Sequence, residues 1–328
     1  LVGILDGQSL CLTEKGDIKP IFRHPNFRIF AAMNPPTDVG KRELPETLRG
    51  RFTEIYVEEM EDKQDLQVVV QRYLQHLSDG VSSVSAVSDI VDIYLGGRAT
   101  AEESLVDGGG QKPHYSLRSL TRSLKACNSF MELGFRPLSR SLYEGFLLSF
   151  QTQLDPSSRL FMSSFLQQCL NIKGGKTMIL PPPRPGGRKS SGEEWVLLKP
   201  YWLKRGPIAA VDWSVPDSQG ITKFVMTETV EKNIRDLARA VSANITAVLL
   251  QGPTSVGKTS MIEFLAAKCG YRCIRINNHE HTDVQEYVGG YITGSDGRLV
   301  FKDGVLVEAL RRGDWIILDE LNLAPSDV

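Results

Sequence analysis

Apolar positions recur at two different periods along the chain, and the change from one to the other divides it. Over residues 1–56, short β-type runs alternate with turn residues: Ser9 to Thr13, the turn Glu14-Lys15-Gly16-Asp17, Ile18 to Phe22, and then Phe27 to Ala32, which stops at Met33-Asn34-Pro35-Pro36. That pattern predicts a hairpin followed by a buried strand. From Lys63 to Leu77 the spacing becomes helical, through Leu66, Val69, Val70, Tyr73, Leu74 and Leu77, and Glu61 and Asp62 sit where a helix start favours negative charge. Similar stripes over Val84 to Leu95, Ser116 to Leu133 and Leu138 to Leu154, joined through Gly108-Gly109-Gly110, predict a small all-helical subdomain over 57–172.

Residues 173–225 break the periodicity. From Lys173 to Glu194 Gly, Pro, Lys and Ser concentrate, with Pro181-Pro182-Pro183-Arg184-Pro185-Gly186-Gly187, and predict an extended linker without a packed core. Trp195 to Leu198 and Tyr201 to Leu203 then read as a β-hairpin, and Glu228 to Ser242 as a helix through Val230, Ile234, Leu237, Ala238 and Val241. An α/β unit follows over 226–328, with Ala247-Val248-Leu249-Leu250 as a buried strand and a hairpin turning at Gly294-Ser295-Asp296-Gly297-Arg298. No internal repeat emerges.

Composition narrows the class. A chain of 328 residues that is 41% hydrophobic and 23% charged has the profile of a globular protein of about two domains. Its 38 Lys and Arg against 39 Asp and Glu leave no global field to draw it to nucleic acid or an anionic membrane. No run approaches the roughly 20 apolar residues of a membrane helix. Five scattered cysteines (Cys11, Cys127, Cys169, Cys269, Cys273) do not form a disulfide framework, and Cys269 with Cys273 lacks the second ligand pair of a zinc site. With Leu1 in place of Met and Val328 directly after a patterned segment, the sequence reads as a piece cut from a longer chain.

The chemistry lies in the last third. After Ala247 to Leu250 comes Gly252-Pro253-Thr254-Ser255-Val256-Gly257-Lys258-Thr259, followed by the helical pattern of Met261 to Lys268. Strand, GxxxxGKT loop and helix form the full context of a phosphate-binding loop. Main-chain N–H groups must approach phosphates without obstruction by Cβ, at a helix start whose dipole favours anions, and Gly252 and Gly257 permit this. Lys258 then supplies a point charge for the β- and γ-phosphates, and the Thr259 hydroxyl a ligand for Mg²⁺. Further on, Trp315-Ile316-Ile317-Leu318-Asp319-Glu320 is an apolar strand ending in two carboxylates. Asp319 there completes the Mg²⁺ shell and Glu320 activates an attacking water, which points to a Mg²⁺-dependent NTPase.

These residues resemble the AAA+ ATPases, and within them the dynein-related branch that carries six modules on one chain. The resemblance rests on Arg275-Ile276-Asn277-Asn278-His279-Glu280-His281-Thr282-Asp283, on Gln285-Glu286-Tyr287, and on Trp315 through Asn322-Leu323-Ala324-Pro325. In the first half it rests on Arg23-His24-Pro25-Asn26-Phe27-Arg28 through Met33-Asn34-Pro35, on Asp38-Val39-Gly40-Lys41-Arg42 and on Leu44-Pro45. It implies a parallel sheet with helices on both faces plus a helical lid, ATP with Mg²⁺ as ligands, and adjacent AAA+ modules of the same chain as partners. It also implies release of assembly factors from pre-60S ribosomal particles in the nucleus, with no membrane and no direct nucleic-acid site.

By the same resemblance residues 1–56 are the later part of a first α/β subdomain, 57–172 its lid, and 226–328 the early part of a second. Asn34 then resembles a sensor-1 residue, with a turn residue before Pro35 as the alternative. Arg51, in Leu48-Arg49-Gly50-Arg51-Phe52, resembles the arginine finger that neutralises charge on a transferred phosphoryl group, with Arg49 as the alternative. Arg118 resembles the sensor-2 arginine of a lid helix, or is an ordinary exposed helix arginine. His279 and His281 carry no metal-ligand spacing and read as a solvated loop, and the turn at Lys15 reads as a structural insert. Since the phosphate loop lies in the second module and the sensor and finger candidates in the first, this stretch alone is expected to bind nucleotide weakly and hydrolyse it poorly.

Other readings stay open at this point. One is a nucleotide site that holds a ring together without turnover, another an AAA+ chaperone or dynein-type motor, although no long heptad stalk is present. No NKxD-type guanine-reading segment is found, and ATP follows from the resemblance alone. A permuted single sheet built from both halves is the alternative to two partial modules.

Overall fold

The structure, a computed structural model, describes residues 5–7, 9, 20–22, 24–33, 44–75, 84–172, 180–185, 194–216, 220–293 and 298–325. Two compact units emerge, Leu1–Glu59 and Met60–Val328. In the first, a single helical turn, Glu46–Arg49 (α1), follows Pro45, which presets the backbone for a helix start. The expected hairpin falls largely outside the described residues, as does Asn34. Phe27 to Ala32 corrects the sequence reading: it joins no ladder among the described residues, and Phe30 is 93% exposed. A strand exists only by pairing its N–H and C=O groups with a neighbour, and β-type composition alone does not supply one.

The second unit opens with the helical subdomain. Asp62 caps α2 (Lys63–Leu74) by accepting from the amides of Gln64 and Asp65, and Leu66, Val70 and Leu74 form its buried stripe. The helices α3 (Val84–Glu103), α4 (Leu117–Glu132) and α5 (Leu138–Phe146) follow, and α5 runs into a π-helical turn, Leu147–Gln151. A further helix, α6 (Pro156–Cys169), lies beyond the stripes read from sequence, and Asp155 as cap and Pro156 at the first position mark its start. Its cap accepts from the amide of Ser158 at 2.8 Å. A shared core of Ile90, Tyr94, Leu124, Phe146, Phe150 and Met162 closes the bundle, each such side chain contributing about 1.5–3 kcal/mol on burial. Gly145 lets α5 lie directly on α4, because a Cβ there would collide with the Ser123 carbonyl.

Helix α4 buries two faces. Leu120, Leu124, Cys127 and Met131 point into the helical core, whereas Ala126 and Phe130 join a second core with Phe135, Tyr201, Leu203, Ile234, Leu237 and Phe264. The second core therefore runs from the lid into the α/β part. Between them β1 (Trp195–Leu198) and β2 (Tyr201–Lys204) form the expected antiparallel hairpin, with Leu198 opposite Tyr201. The described part of the expected linker is not free of packing: Pro182 is buried, and its carbonyl accepts from the Trp202 indole at 2.9 Å.

The α/β part contains α7 (Glu228–Ser242), capped by Thr227, and α8 (Lys258–Cys269). Strands β3 (Cys273–Asn277) and β6 (Trp315–Asp319) pair in parallel, from Cys273 opposite Trp315 to Asn277 opposite Asp319. Between them in the chain come the short helix α9 (Val284–Val288), the antiparallel pair β4 (Gly289–Thr293) and β5 (Leu299–Asp303), and helix α10 (Val305–Arg312). Ala247 to Leu250 is not a strand, which corrects the sequence reading. The segment leads into the loop at Gly252, pairs with no strand among the described residues, and leaves Leu249 82% exposed. Every named strand pair lies within the second unit.

Candidate functional site

The site is built where α8 begins. Gly257 adopts φ +82°, a left-handed conformation that glycine takes without steric cost, and it turns the loop into the first turn of the helix. Ser255 is also left-handed, at φ +63°, so the chain curls tightly through residues 252–257. The amides of Lys258, Thr259 and Ser260 head the helix and have no intrahelical partner, whereas Met261 N–H closes onto the Gly257 carbonyl at 3.0 Å. Open amides on the positive end of a 12-residue helix form an anion cradle. The Lys258 ammonium folds over the loop and donates to the carbonyls of Gly252 at 3.0 Å and Pro253 at 2.9 Å. Residues Gly252, Pro253, Thr254, Ser255 and Val256 all face solvent, so the loop is open to a ligand.

Strand β6 delivers the carboxylates. Thr259 Oγ1 donates to Asp319 Oδ2 at 3.2 Å, which brings together the hydroxyl and carboxylate singled out from sequence. A hydroxyl and a carboxylate converging at an anion cradle form the hard oxygen donor set that suits Mg²⁺, and in this respect the residues present fit the ion. The Asp319 side chain is mostly buried, and the Arg275 guanidinium on β3 pairs with the same Oδ2. Glu320 follows at φ +50°, ψ +43°, with its carboxylate exposed. A left-handed residue other than glycine costs roughly 1–2 kcal/mol and persists only where its surroundings impose it. Here the imposing group is Asn278. Its main-chain N–H and side-chain amide both donate to the Asp319 carbonyl, at 3.0 and 2.8 Å, and Tyr287 in turn donates to Asn278 Oδ1.

Arg51 belongs to the first unit, where its guanidinium grips Asp6 in two bonds of 2.6 and 2.9 Å and holds that carboxyl below its usual range. Arg49 makes an equivalent pair with Glu54, at 2.5 and 2.7 Å. Arg118 is exposed at the second position of α4 and makes no contact with the phosphate loop among the described residues. The lid meets the loop elsewhere: a Cβ on Gly109 would lie 3.7 Å from the side-chain amide of Gln251, the residue before Gly252. His279 and His281 are linked through a backbone-to-ring bond of 3.1 Å within their own loop. Burial pushes the Cys269 thiol up to about 12 and the Cys273 thiol to about 11.

Arg275, Asn278 and Tyr287 carried no individual role in the sequence reading. A charged residue inside the run Cys-Ile-Arg-Ile-Asn was the available signal for Arg275. For Asn278 the signal was a polar pair closing that strand.

Loop, carboxylate pair and parallel strands together define a P-loop module of the AAA+ class. Residues 65–173 match the family described as the Midasin AAA lid domain, and residues 247–328 match the AAA domain of the dynein-related subfamily. Along its whole length the chain is 43% identical to midasin of Dictyostelium discoideum, and over 97% of it 35% identical to midasin of Giardia intestinalis. A shorter similarity, 36% over 89 residues, links 27% of the chain to a third of the protein NorQ of Paracoccus denitrificans. The chain belongs to the midasin-type AAA+ ATPase family. It spans 5% and 7% of the lengths of the two midasins.

Proposed function

We propose that Gly252 to Thr259 with Asp319 and Glu320 form a Mg²⁺-dependent ATP site in one of several modules arranged in a ring. The observation that carries this reading is the 3.2 Å approach of the Thr259 hydroxyl to the Asp319 carboxylate at the open head of α8. In it the loop amides and Lys258 bind the phosphates, Thr259 and Asp319 hold Mg²⁺, and Glu320 orients the attacking water. Asn34 and Arg118 act as sensors and Arg51 as the finger of the first module, directed at a site other than the one at Lys258. The domain plan is part of the same proposal, with divisions after residues 56, 172 and 225. In the cell, the resemblance to midasins supports release of assembly factors from pre-60S particles in the nucleus.

The test is nucleotide binding and turnover in the full-length protein. Lys258→Ala should weaken binding of a fluorescent ATP analogue at this site by at least about tenfold, and an unchanged affinity defeats the reading. Glu320→Gln should retain binding and lose turnover at this site. Unchanged turnover and unchanged function with Glu320→Gln favour the alternative, a structural nucleotide that holds the ring together.

A further inference from the structure

Strand β3 brings a cation to the carboxylate that the ATP site reserves for its metal. Arg275 lies opposite Ile317 in the parallel register, two residues before the Asn277–Asp319 pair, so its side chain shares a face with Asp319 and reaches it along the diagonal. The guanidinium makes an ion pair with Asp319 Oδ2, the oxygen that also accepts from Thr259. Asp319 is largely enclosed, its side chain 16% exposed, whereas Arg275 is 51% exposed. The anchored partner is thus the carboxylate, and the arginine is free to swing into solvent.

We propose that Arg275 is the resident counter-cation of Asp319 and competes with Mg²⁺ for it, so that loading the site with metal and nucleotide displaces the guanidinium. The physical basis is simple. A mostly enclosed carboxylate without a cation is costly, and Arg275 removes that cost before any metal arrives. A second cation on the same oxygen would be repelled at contact distance, so occupancy by one excludes the other. Arginine suits the task, since its charge persists at any physiological pH and its long stem lets it retreat without moving the strand. Arg275 thereby acts through Asp319, and its competition sets the Mg²⁺ concentration at which the site fills. This inference rests on the ATP-site reading above.

The experiment titrates Mg²⁺ against binding of a fluorescent ADP analogue to the full-length protein, wild type and Arg275→Gln, and follows thermal unfolding in EDTA and in Mg²⁺ with ADP. With the competitor removed, half-saturating Mg²⁺ should fall about fivefold, while affinity for the analogue in EDTA stays within about twofold. The variant should melt below wild type in EDTA, and the gap should close once Mg²⁺ and ADP are bound. An ion pair that is merely structural would leave the gap constant and the Mg²⁺ requirement unmoved, and either result overturns the proposal. A rise in the Mg²⁺ requirement also overturns it, by making Arg275 an ally of the metal. If wild type binds no nucleotide at all, the ATP-site reading itself has failed, which the EDTA measurement separates from failure of the competition alone. Arg275→Lys, with the charge kept and the planar fork lost, should shift the Mg²⁺ requirement in the same direction by about twofold, and it decides the question should the Gln variant not fold.

Discussion

Glu144→Gln is the sharpest test of how the lid is joined to the nucleotide-binding part. Glu144 on α5, Tyr201 on β2 and Arg239 on α7 meet in the second core, at 4%, 1% and 8% exposure of the groups involved. The Arg239 guanidinium donates through Nε to Glu144 Oε2 and to the Tyr201 hydroxyl, each at 2.8 Å, and Tyr201 donates to Glu144 Oε2 at 2.7 Å. Burial works against the Arg239 charge, but the fields of Tyr201, Glu144 and Asp236 outweigh it and keep the guanidinium more basic than usual. Burial likewise pushes the Tyr201 hydroxyl well above its ordinary value, so it remains a donor. Two unit charges about 3.5 Å apart at an effective dielectric near 20 attract by roughly 4–5 kcal/mol, and breaking a buried pair by removing one partner costs roughly 3–5 kcal/mol.

The neutral amide of Glu144→Gln keeps the shape and removes the charge. Asp236, which also pairs with Arg239 and is 26% exposed, offsets part of the loss. The expected destabilisation is therefore about 3 kcal/mol. Urea unfolding followed by tryptophan fluorescence measures it, since Trp202 and Trp213 flank the joint. Glu144→Leu with Arg239→Met should be less destabilising than the sum of the two single changes, because the double change leaves no stranded charge. A loss under about 1 kcal/mol in Glu144→Gln, or strict additivity in the double variant, refutes the view that this triad joins lid to α/β part.

Other outcomes follow from the same packing. Lys258→Ala should weaken nucleotide binding by at least about tenfold, the loss of a charge-assisted contact to phosphate. The melting temperature should stay near wild type, because Lys258 bonds only to exposed loop carbonyls. Stability should decline at alkaline pH: burial pushes Cys127, Cys269 and Tyr115 each to about 12, so the folded state keeps protons that the unfolded chain gives up. Their contribution is whole below the ordinary thiol value near 9 and disappears as pH rises toward 12. By pH 10.5 each thiol should cost about 2 kcal/mol, measured by urea unfolding at pH 8 and 10.5. Among Cys127, Cys169 and Cys269, a thiol reagent should modify exposed Cys169 first and reach the other two only on unfolding; equal rates would contradict the packing.

What could be read from sequence was local. Gly252 to Thr259 is recognisable because a turn with left-handed glycine and a helix start with Lys-Thr are specified by neighbours in the chain. The helical stripes of α2, α4 and α7 are equally local, and their caps Asp62 and Thr227 sit where the pattern begins. Ala247 to Leu250 and Phe27 to Ala32 were misread for one reason: each has the composition of a buried strand, but a strand is a relation between segments, and the described residues hold no partner for either. Glu144, Tyr201 and Arg239 are 57 and 38 positions apart, and no periodicity could join them. Arg275 was visible only as a charge out of place in an apolar strand until the register set it beside Asp319.

The division between local and distant information falls within the chemistry of the site as well. In the proposed ATP site the phosphate and metal contacts would come from the loop amides, Lys258, Thr259 and Asp319, which one loop–helix segment and one strand supply. The setting of Glu320 draws on more of the chain: its left-handed backbone follows an Asp319 carbonyl held by Asn278, which Tyr287 holds in turn. Arg51 bonds Asp6 within the first unit, and Arg118 is exposed near the start of α4. Loss of the Tyr287 hydroxyl should therefore depress turnover more than nucleotide affinity, whereas loss of Lys258 should depress affinity first. The order of these sensitivities follows from how far along the chain each contribution is gathered.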